Sequence, residues 1–443
     1  MKERRELLLV VNIVVFLAVV LIWLINQPIN VAPDEIMRYQ IPQFIFERGY
    51  LPYGGDPAIR SEVWGISYGF MPFLSNIFSA LLMKLISIFT LDPKMLLIAA
   101  RSINLFWAVG TSYFVIKIAR KLLPKEYRWM YVTLIVMLPQ FIFLHTYINN
   151  DAFAIFCTSM VFYSWILGAE SKWDIKSRTL LAVGVAFCAL SYYNAYGVIL
   201  CSIFYYLGTS NILKKGVVNR KEEVYKLLYI VAIVFVLAGW WFIRNLIIYN
   251  GDLLALKSEA FYAEKYAVDI FKPSNRTTLA RDGVGFLTMM LRSPYHWAKL
   301  TFVSFIGVFE GMTLLIDYWI YIFYFGVFII AIFGLVLKIK KELKKGVTKE
   351  RLFFHGMMLL SIIIPIILSI IYSYFSDFQP QGRYLMPMLI PFMYYITLGI
   401  SELIERARIR HPIIGAIGIY ALPTFLGVIT LYVFIKIIVP LYC

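Results

Sequence analysis

Long apolar runs separated by short polar segments make up most of the chain. Runs of about twenty apolar residues are long enough to cross the hydrocarbon core of a bilayer as α-helices. The pattern therefore predicts an all-α, polytopic integral membrane protein, with about eleven transmembrane helices in one domain over residues 1–443. The predicted spans are 7–26, 97–119, 129–148, 152–169, 179–194, 196–211, 227–249, 318–338, 353–374, 385–403 and 412–438.

The composition excludes a chain of water-soluble domains. Hydrophobic residues account for 61% of the chain and charged residues for only 15%, whereas soluble domains are nearer to half apolar and a quarter charged. The four cysteines form no CxxC pair and no cluster with histidine in the sequence. Neither a disulfide framework nor a zinc site is therefore indicated.

Membrane topology explains the formal net charge of +16. Of the 42 Lys and Arg residues, 26 fall in six segments that all face the cytoplasm when the spans are threaded in order. This threading places the N-terminus in the cytoplasm, with the first run as an uncleaved anchor in the plasma membrane. The excess charge then needs no nucleic-acid partner. The six segments are 2–5, 117–128, 172–178, 214–226, 338–351 and 406–410.

Two long segments, 27–96 and 250–317, lie on the outer side in this topology. The assignment requires that the apolar stretch 68–90 lies in the outer interface and does not cross the membrane. Interfacial helices are predicted in the first segment, where residues 36–48 combine an apolar face with polar positions. The apolar face holds Met37, Ile41, Phe44 and Ile45, and the polar positions are Arg38, Gln43 and Glu47.

Polar motifs collect at the outer ends of the predicted spans. A Pro-Asp-Glu motif at 33–35 follows the first span and is suited to start a helix, whose N-terminus favours carboxylates. An Asn-Asn-Asp motif at 149–151 forms the hairpin between the third and fourth spans. Each motif also has a purely structural interpretation, as a helix cap or as ordinary turn chemistry. Their common position on one face favours a functional interpretation.

Two further motifs place arginines at the same face. Arg244 ends the seventh span and is followed by Tyr-Asn-Gly-Asp at 249–252, and Arg383 follows Gln-Gly between the ninth and tenth spans. Arg38 and Arg101 are additional outer cations. An arginine inside the membrane costs a few kcal/mol unless it snorkels to the interface or meets an anion. Interface anchoring and binding of a lipid-linked phosphate are the two interpretations, and the guanidinium fork suits phosphate.

On these motifs the chain resembles the GT-C superfamily, whose multi-span glycosyltransferases use polyprenyl-phosphate sugars. The resemblance rests first on the Pro-Asp-Glu motif at 33–35 and then on the three later motifs. It points to a largely uncharacterised bacterial branch similar to the protein O-mannosyltransferases and the aminoarabinose transferases. Superfamily members often carry a histidine a few residues after the acidic pair, whereas this chain has Arg38 and Tyr39 there.

The resemblance also implies roles for individual residues. Asp34 is expected to be the base for the acceptor hydroxyl, with Glu35 and Asp151 as acidic partners. Asp34 and Asp151 are also candidate ligands of a divalent cation, Mg²⁺ or Mn²⁺. The donor phosphate is expected to contact Arg383, Arg244, Arg38 and Arg101. Other substrate contacts are expected from Asn149, Asn150, Asn245, Tyr249, Gln381 and Tyr384.

The expected reaction moves a sugar from a polyprenyl-phosphate-linked donor to an acceptor hydroxyl on the outer face, by single displacement with inversion at C1. Such a reaction would serve modification of cell-envelope glycans. Protein, teichoic acid, polysaccharide and lipid remain open as acceptors. The absence of a large outer soluble domain from the sequence favours a small or lipid-linked acceptor.

Three other functions compete with this hypothesis: a polysaccharide polymerase, a lipid-linked oligosaccharide transporter and a membrane scaffold. A transporter should line its path with polar residues at mid-span, but the predicted spans are largely apolar apart from Asn12, Asn104 and Ser/Thr residues. A scaffold predicts no gathering of carboxylates and guanidiniums on one face. The transferase hypothesis requires Asp34, Asp151 and Arg383 to lie within about 15 Å around one cavity.

Overall fold

The computed structural model describes residues 2–210, 212 and 220–443, with side chains from residue 6 onward. It is 75% helical. The helices are α1 (Lys2–Asn26), α2 (Glu35–Arg48), α3 (Leu74–Ile86), α4 (Pro93–Leu122), α5 (Arg128–Val136), α6 (Pro139–Leu144), α7 (Asp151–Ser171), α8 (Ile175–Ala189), α9 (Tyr196–Thr209), α10 (Arg220–Ile248), α11 (Leu256–Tyr266), α12 (Phe286–Leu291), α13 (Trp297–Gly307), α14 (Tyr318–Lys345), α15 (Lys349–Phe375), α16 (Leu389–Arg410), α17 (Pro412–Val433) and α18 (Val439–Tyr442). Strands β1 (Val308–Phe309) and β2 (Leu314–Leu315) pair antiparallel, with Val308 opposite Leu315.

Within the described residues, eight helical stretches are long and apolar enough to cross a membrane. They contain α1, α4, α7, α10, α14, α15, α16, and α17 with α18. Each coincides with one of the predicted spans. The prediction of an all-α, polytopic membrane protein is thereby confirmed.

The other three predicted spans are shorter or broken helices. The span predicted at 129–148 divides into α5 and α6 at Leu138, whose backbone is extended. The break has a local cause, because the residue before a proline avoids helical angles and Pro139 has no N–H to donate. The spans predicted at 179–194 and 196–211 contain α8 and α9, with 15 and 14 residues, fewer than the twenty or so that a straight crossing needs.

Helix α7 forms the centre of the bundle. It is buried along most of its length and packs against α4, α8 and α9. Helices α10 and α15 lie at the periphery and expose many of their apolar side chains. In a membrane these exposed side chains face lipid, so the apolar composition reflects both a packed interior and a lipid-facing surface.

A glycine contact brings α14 and α16 together. A Cβ placed on Gly399 would lie 1.8 Å from the carbonyl oxygen of Ala331, and one on Gly334 would lie 2.2 Å from the oxygen of Gly399. Small residues at a crossing let two helix backbones approach closely in a membrane. This contact fixes α16, whose preceding turn carries Arg383.

The first outer segment folds as α2, a loop, and α3. Helix α2 begins at Glu35, as predicted, and Ile41 and Phe44 are buried. The prediction that Arg38 lies on the polar side of an interfacial helix is wrong, because Arg38 is buried beside those apolar residues. Helix α3 has 13 residues, about 20 Å at 1.5 Å per residue, which is short of the hydrocarbon thickness.

Two of the basic segments lie at the opposite end of the helices from α2. Arg120 and Lys121 are in the last turn of α4, and Arg408 and Arg410 are in the last turn of α16. Both helices start at the end of the bundle where α2 lies. The side chains of 2–5, and Lys214 and Lys215 of the predicted basic series, lie outside the described residues.

Candidate active site

Asp34 immediately precedes α2 and adopts a left-handed backbone conformation, with φ 59° and ψ 15°. Its side chain makes no capping hydrogen bond, so the interpretation of Asp34 as a simple helix cap is wrong. The carboxylate instead accepts hydrogen bonds from Tyr68 Oη at 2.9 Å and from Arg383 Nη2 at 3.4 Å. Aspartate is one of the few non-glycine residues that adopt this conformation with ease, and here it turns the side chain away from the capping position.

Arg38 lies one helical turn further along α2 and is only 1% exposed. Its guanidinium is 4.0 Å from the centroid of the Tyr68 ring, a distance at which a cation and an aromatic face attract. Among the described residues, Nε and Nη1 of Arg38 have no hydrogen-bond partner. Tyr68 therefore contacts both residues: its hydroxyl donates to Asp34, and its ring lies against the guanidinium of Arg38.

Arg383 is placed by a close contact between its turn and α13. The 3₁₀ turn Gly382–Met388 begins at Gly382, whose N–H donates to Ser304 Oγ at 2.6 Å. A Cβ on Gly382 would lie 2.1 Å from the backbone nitrogen of Phe305, so only glycine fits there. Arg383 is 5% exposed, and Nη2 also lies 3.4 Å from Tyr384 Oη. Its Nε and Nη1 find no partner in the described part of the chain.

Asp151 is the first residue of α7 and is 2% exposed. It lies within electrostatic reach of Arg383, Arg38 and Asp34. Its Oδ2 atom is buried and lacks a hydrogen-bond partner among the described residues. The structure thus brings Asp34, Asp151, Arg38 and Arg383 into one cluster, here called the Asp34 cluster.

The two asparagines before Asp151 have structural partners. Asn149 Oδ1 accepts the N–H of Ala152 at 2.9 Å, which caps α7. Asn150 Nδ2 donates to the carbonyl of Pro72 at 3.2 Å and ties the hairpin to the segment before α3. Turn chemistry therefore accounts for Asn149 and a tertiary contact for Asn150, and both contacts hold the hairpin that precedes Asp151.

Glu35 and Arg101 form a buried ion pair beside the Asp34 cluster. Arg101 Nε and Nη2 each donate to one carboxylate oxygen of Glu35 at 2.7 Å. Arg101 also donates to the carbonyls of Leu24, Gln27 and Pro28, and Glu35 accepts the N–H of Ile148. The pair joins α1, α2, α4 and the hairpin before α7. These partners occupy both side chains, so the structure places Glu35 and Arg101 against each other, whereas the sequence predicted an acidic partner of Asp34 and a phosphate contact.

The motif at 244–252 has partners away from the Asp34 cluster. Arg244 Nη2 donates to the carbonyl of Pro52 at 2.5 Å, and Tyr249 Oη accepts the N–H of Gly54 at 2.8 Å. Asn245 Nδ2 donates to the carbonyl of Leu253 at 3.2 Å. These contacts fasten the end of α10 to both outer segments. The structure therefore does not bring Arg244, Asn245 and Tyr249 together with Asp34.

Tyrosines complete the cluster, and most of them were not among the site residues expected from the sequence. Tyr147 lies near Arg383 and Asp151, and Tyr192 lies near Asp151, Arg38 and Arg383. Tyr384 was expected, and its hydroxyl bonds Gln379 as well as Arg383. Tyr147 stands inside the hairpin that the sequence singled out, whereas Tyr68 begins a short 3₁₀ turn and Tyr192 follows α8, and neither belongs to one of the polar motifs.

Two cations keep Asp34 ionised. Burial disfavours the charged carboxylate, but the charges of Arg38 and Arg383, together with the hydrogen bonds from Tyr68 and Arg383, outweigh burial and lower the pKa of Asp34 below its ordinary value. Burial raises the pKa of Tyr68 to about 12. At neutral pH Tyr68 is therefore protonated and donates to a charged Asp34.

A cavity of about 370 Å³ opens beside the cluster, between α15 and the segment before α9. Tyr192 and Tyr384 line the end nearest the cluster, and Leu368 and Ile371 line the side that the exposed face of α15 provides. Buried Ser369 Oγ, in the cavity wall, has no partner among the described residues. The volume lies in the range of small-ligand pockets, and the mixed lining suits a molecule with a polar end and an apolar end.

The donor set of the cluster does not suit a divalent cation. The described residues contain no group of three or more His, Cys, Asp or Glu side chains that could hold a metal ion. Asp34 and Asp151 share their surroundings with two guanidiniums, and Asp34 Oδ2 is already bonded to Tyr68 and Arg383. Mg²⁺ and Mn²⁺ prefer several oxygen ligands, and two carboxylates beside two cations do not provide them.

No protein-family model and no curated protein matches the chain. Among solved structures, the chain is similar to the archaeal oligosaccharyltransferase AglB from Archaeoglobus fulgidus in complex with an inhibitory peptide and a dolichol-phosphate, with a TM-score of 0.54 and 13% identity over 98% of this chain and 55% of that chain. The Archaeoglobus fulgidus oligosaccharyltransferase in the apo form gives a TM-score of 0.55 at 14% identity, over 96% of this chain and 54% of that chain. The same enzyme in complex with Zn and sulfate gives 0.54 at 13% identity, over 95% and 52%.

The chain spans about half the length of the structures that it matches. Nearly all of this chain takes part in the superposition, so the likeness concerns the whole membrane domain and not one helix pair. The oligosaccharyltransferase has a GT-C fold. At this identity the comparison shows the fold alone: the protein is an all-α membrane protein with a GT-C-like fold.

Proposed function

We propose that the protein is a membrane glycosyltransferase that moves a sugar from a polyprenyl-phosphate-linked donor to an acceptor hydroxyl. The observation that carries the proposal is the Asp34 cluster: an ionised carboxylate bonded to Arg383, beside Arg38, with N–H groups on both guanidiniums that find no partner among the described residues. A base and a set of anion-binding donors are what this transfer requires. The GT-C-like fold supports the proposal, as does the dolichol-phosphate bound to the similar oligosaccharyltransferase.

In the proposed reaction the acceptor oxygen attacks C1 of the sugar from the face opposite the phosphate. The acceptor O–H proton passes to Asp34 as the new C–O bond forms. The bond between C1 and the phosphate oxygen breaks, and its electron pair stays on the departing polyprenyl phosphate. Asp34 needs only a low basicity for this step, because the hydroxyl becomes acidic late, as C–O bond formation proceeds.

Arg383 and Arg38 are assigned to the donor phosphate. Both side chains are buried, and the Nε and Nη1 atoms of each have no partner in the described residues. Such unpaired donors in a low-dielectric site stabilise negative charge that builds up on the phosphate. Asp151 is assigned to orienting the acceptor, since its buried Oδ2 atom can accept a hydrogen bond and has no partner among the described residues.

The cavity beside Tyr384 offers a route for the lipid part of the donor. A polyprenyl chain must leave the site into the bilayer, and Leu368 and Ile371 of the cavity wall are about half exposed on the lipid-facing side of α15. The predicted topology places this cavity on the outer side of the plasma membrane. We therefore assign the reaction to the outer face, with the N-terminus in the cytoplasm.

The two polar residues noted in the predicted spans favour transfer over transport. Asn12 Nδ2 donates to Thr133 Oγ1 at 2.5 Å, and Asn104 Nδ2 donates to the carbonyl of Tyr147 at 2.5 Å. The first contact joins α1 to α5, and the second joins α4 to the hairpin before α7, so both are used in packing, as polar residues in membrane bundles commonly are. A path for a polar substrate would instead need such groups to line an open channel.

The test is an incubation of the purified protein in lipid nanodiscs with a panel of radiolabelled polyprenyl-phosphate sugars and with cell-envelope acceptor fractions. Transfer is expected for at least one donor, and Asp34→Asn is expected to lower its rate by about 10²–10⁴. Asp282→Asn is the matched control, because Asp282 is an exposed carboxylate of the second outer segment and should leave the rate unchanged. Equal rates for Asp34→Asn and the wild type would refute the proposal.

A further inference from the structure

Two arginines occupy the surroundings that a divalent cation would need. Arg383 contacts Asp34 directly, and Arg38 lies against Tyr68, which is the other partner of that carboxylate. Asp151 faces the same two guanidiniums. A dication held by Asp34 and Asp151 would therefore lie beside two positive charges, and of these four side chains only that of Asp34, at 40%, is substantially exposed to solvent.

The cluster also lacks a further carboxylate that would complete a metal site. Glu35 follows Asp34 in the chain, but both of its oxygens accept hydrogen bonds from Arg101. The described residues provide no group of three potential metal-binding side chains. A protein site for Mg²⁺ or Mn²⁺ would have to be built from two carboxylates, one of which already has two hydrogen-bond partners.

The free N–H groups of the arginines point to an anion as the missing partner. Nε and Nη1 of Arg38, and Nε and Nη1 of Arg383, are buried and unpaired within the described part of the chain. A buried charged donor without a partner is unfavourable, and a phosphate has enough acceptor oxygens for several donors at once. Two guanidiniums then provide the positive charge that a metal ion would otherwise bring to a departing phosphate.

We propose that Arg38 and Arg383 together replace a divalent cation in this site, so that sugar transfer from a polyprenyl phosphate proceeds without one. This proposal rests on the glycosyltransferase function proposed above. It assigns the Nε and Nη1 groups of both arginines to the phosphate oxygens of the donor. It leaves Asp34 and Asp151 free for the acceptor.

The first test compares transfer by the wild-type protein in excess EDTA with transfer in millimolar Mg²⁺ or Mn²⁺. The two rates are expected to agree within about twofold. A loss of about tenfold or more in EDTA that either ion restores would overturn the proposal while leaving the glycosyltransferase function intact. An absence of transfer under every condition would instead count against the proposed function.

Binding measurements test the proposal without any turnover. Mn²⁺ titrated into the wild-type protein and followed by electron paramagnetic resonance is expected to show no site that Asp34→Asn removes. Undecaprenyl phosphate is expected to bind in EDTA, and Arg38→Gln and Arg383→Gln are each expected to weaken that binding about tenfold or more. A stoichiometric Mn²⁺ site lost in Asp34→Asn, or undecaprenyl phosphate binding that needs a divalent ion, would overturn the proposal.

Both variants keep a planar hydrogen-bonding side chain, but they lose the charge and most of the N–H donors of the guanidinium. Gel filtration in detergent shows whether each variant keeps the wild-type elution volume before its binding is measured. The wild-type EDTA and Mn²⁺ measurements use no variant, so they decide the proposal even if one of the two variants does not fold. Arg292→Gln is the matched control, because Arg292 is an exposed arginine of the second outer segment.

Discussion

Arg383 donates a hydrogen bond to Asp34 across 3.4 Å, although the two residues are 349 positions apart in the chain. The contact joins the turn before α16 to the start of α2, and therefore the last polar motif of the sequence to the first. It also gives Arg383 two tasks in the proposed reaction. Its Nη2 holds the base, while its Nε and Nη1 remain available to the donor phosphate.

Arg383→Ala is expected to lower kcat/KM for the polyprenyl-phosphate sugar about 10²-fold, the usual effect of losing a donor that stabilises developing charge. Arg383→Lys should recover only part of the activity, because an ammonium group lacks the planar fork of the guanidinium. Initial rates over a range of donor concentrations check both variants. Kinetics of Arg383→Ala equal to those of the wild type would return Arg383 to the role of an interface anchor.

Tyr68→Phe is expected to move the acid limb of the pH–rate profile to higher pH. The hydrogen bond from Tyr68 helps to lower the pKa of Asp34, so its loss raises that pKa. Asp34 must be ionised to accept a proton, and activity is therefore lost as pH falls through its pKa. The phenylalanine ring keeps the contact with Arg38.

The measurement for Tyr68→Phe is kcat/KM from strongly acidic to neutral pH, a range that includes the ordinary pKa of a carboxyl group, beside the wild type. The variant should differ most at the acid end and least at neutral pH, where Asp34 is ionised in both proteins. A profile that drops equally at every pH would mean that Tyr68 acts only through packing. Tyr50→Phe is a suitable control, because Tyr50 is an exposed tyrosine of the same outer segment.

The sequence was sufficient to predict the general architecture and to name all four residues of the Asp34 cluster as candidates, although it placed Arg38 on the polar side of α2. Apolar runs of membrane length identify helices because lipid leaves the backbone no other way to satisfy its hydrogen bonds. Asp34, Asp151 and Arg383 stand at the ends of such runs, where a charged residue is unusual enough to notice. The break at Leu138 has a cause within the local sequence, because Pro139 disfavours a helical conformation at the residue before it.

Pairings between distant residues could not be predicted in the same way. Glu35 looks like a second catalytic carboxylate beside Asp34, but its partner Arg101 is 66 positions away, and only the packing of α2 on α4 brings them together. Arg244 looks like a phosphate ligand because it stands at the end of a predicted span, yet in the structure it donates a hydrogen bond to the carbonyl of Pro52. Residue type and position along a span show that a charge needs a partner, and the tertiary fold decides which partner it meets.

Glu35→Gln is expected to destabilise the protein by about 3 kcal/mol, because it leaves the buried guanidinium of Arg101 without its carboxylate. A clear fall in Tm should follow, measured by thermal unfolding in detergent. Glu47→Gln, on the exposed side of the same helix, should change stability by less than about 0.5 kcal/mol. If Glu35 were catalytic, Glu35→Gln would instead keep its Tm and lose kcat as Asp34→Asn does.

Gly382→Ala is expected to impair catalysis more than folding. The added Cβ would lie 2.1 Å from the backbone nitrogen of Phe305 and 2.3 Å from its Cα, so the turn has to move away from α13. That movement also weakens the hydrogen bond from Gly382 N–H to Ser304 Oγ. Arg383 is the next residue, and a displacement of about 1 Å at a reacting group can cost about 10² in rate.

The check for Gly382→Ala is kcat/KM together with Tm in one preparation. We expect kcat/KM to fall about 10- to 100-fold, with a loss of stability of about 1–3 kcal/mol from overpacking. Gly311→Ala is the matched control, because a Cβ at Gly311 would meet nothing within 4 Å, and it should change neither quantity. Full activity in Gly382→Ala would mean that α13 can give way without moving Arg383, and the close contact at Gly382 would then have no part in positioning the phosphate ligand.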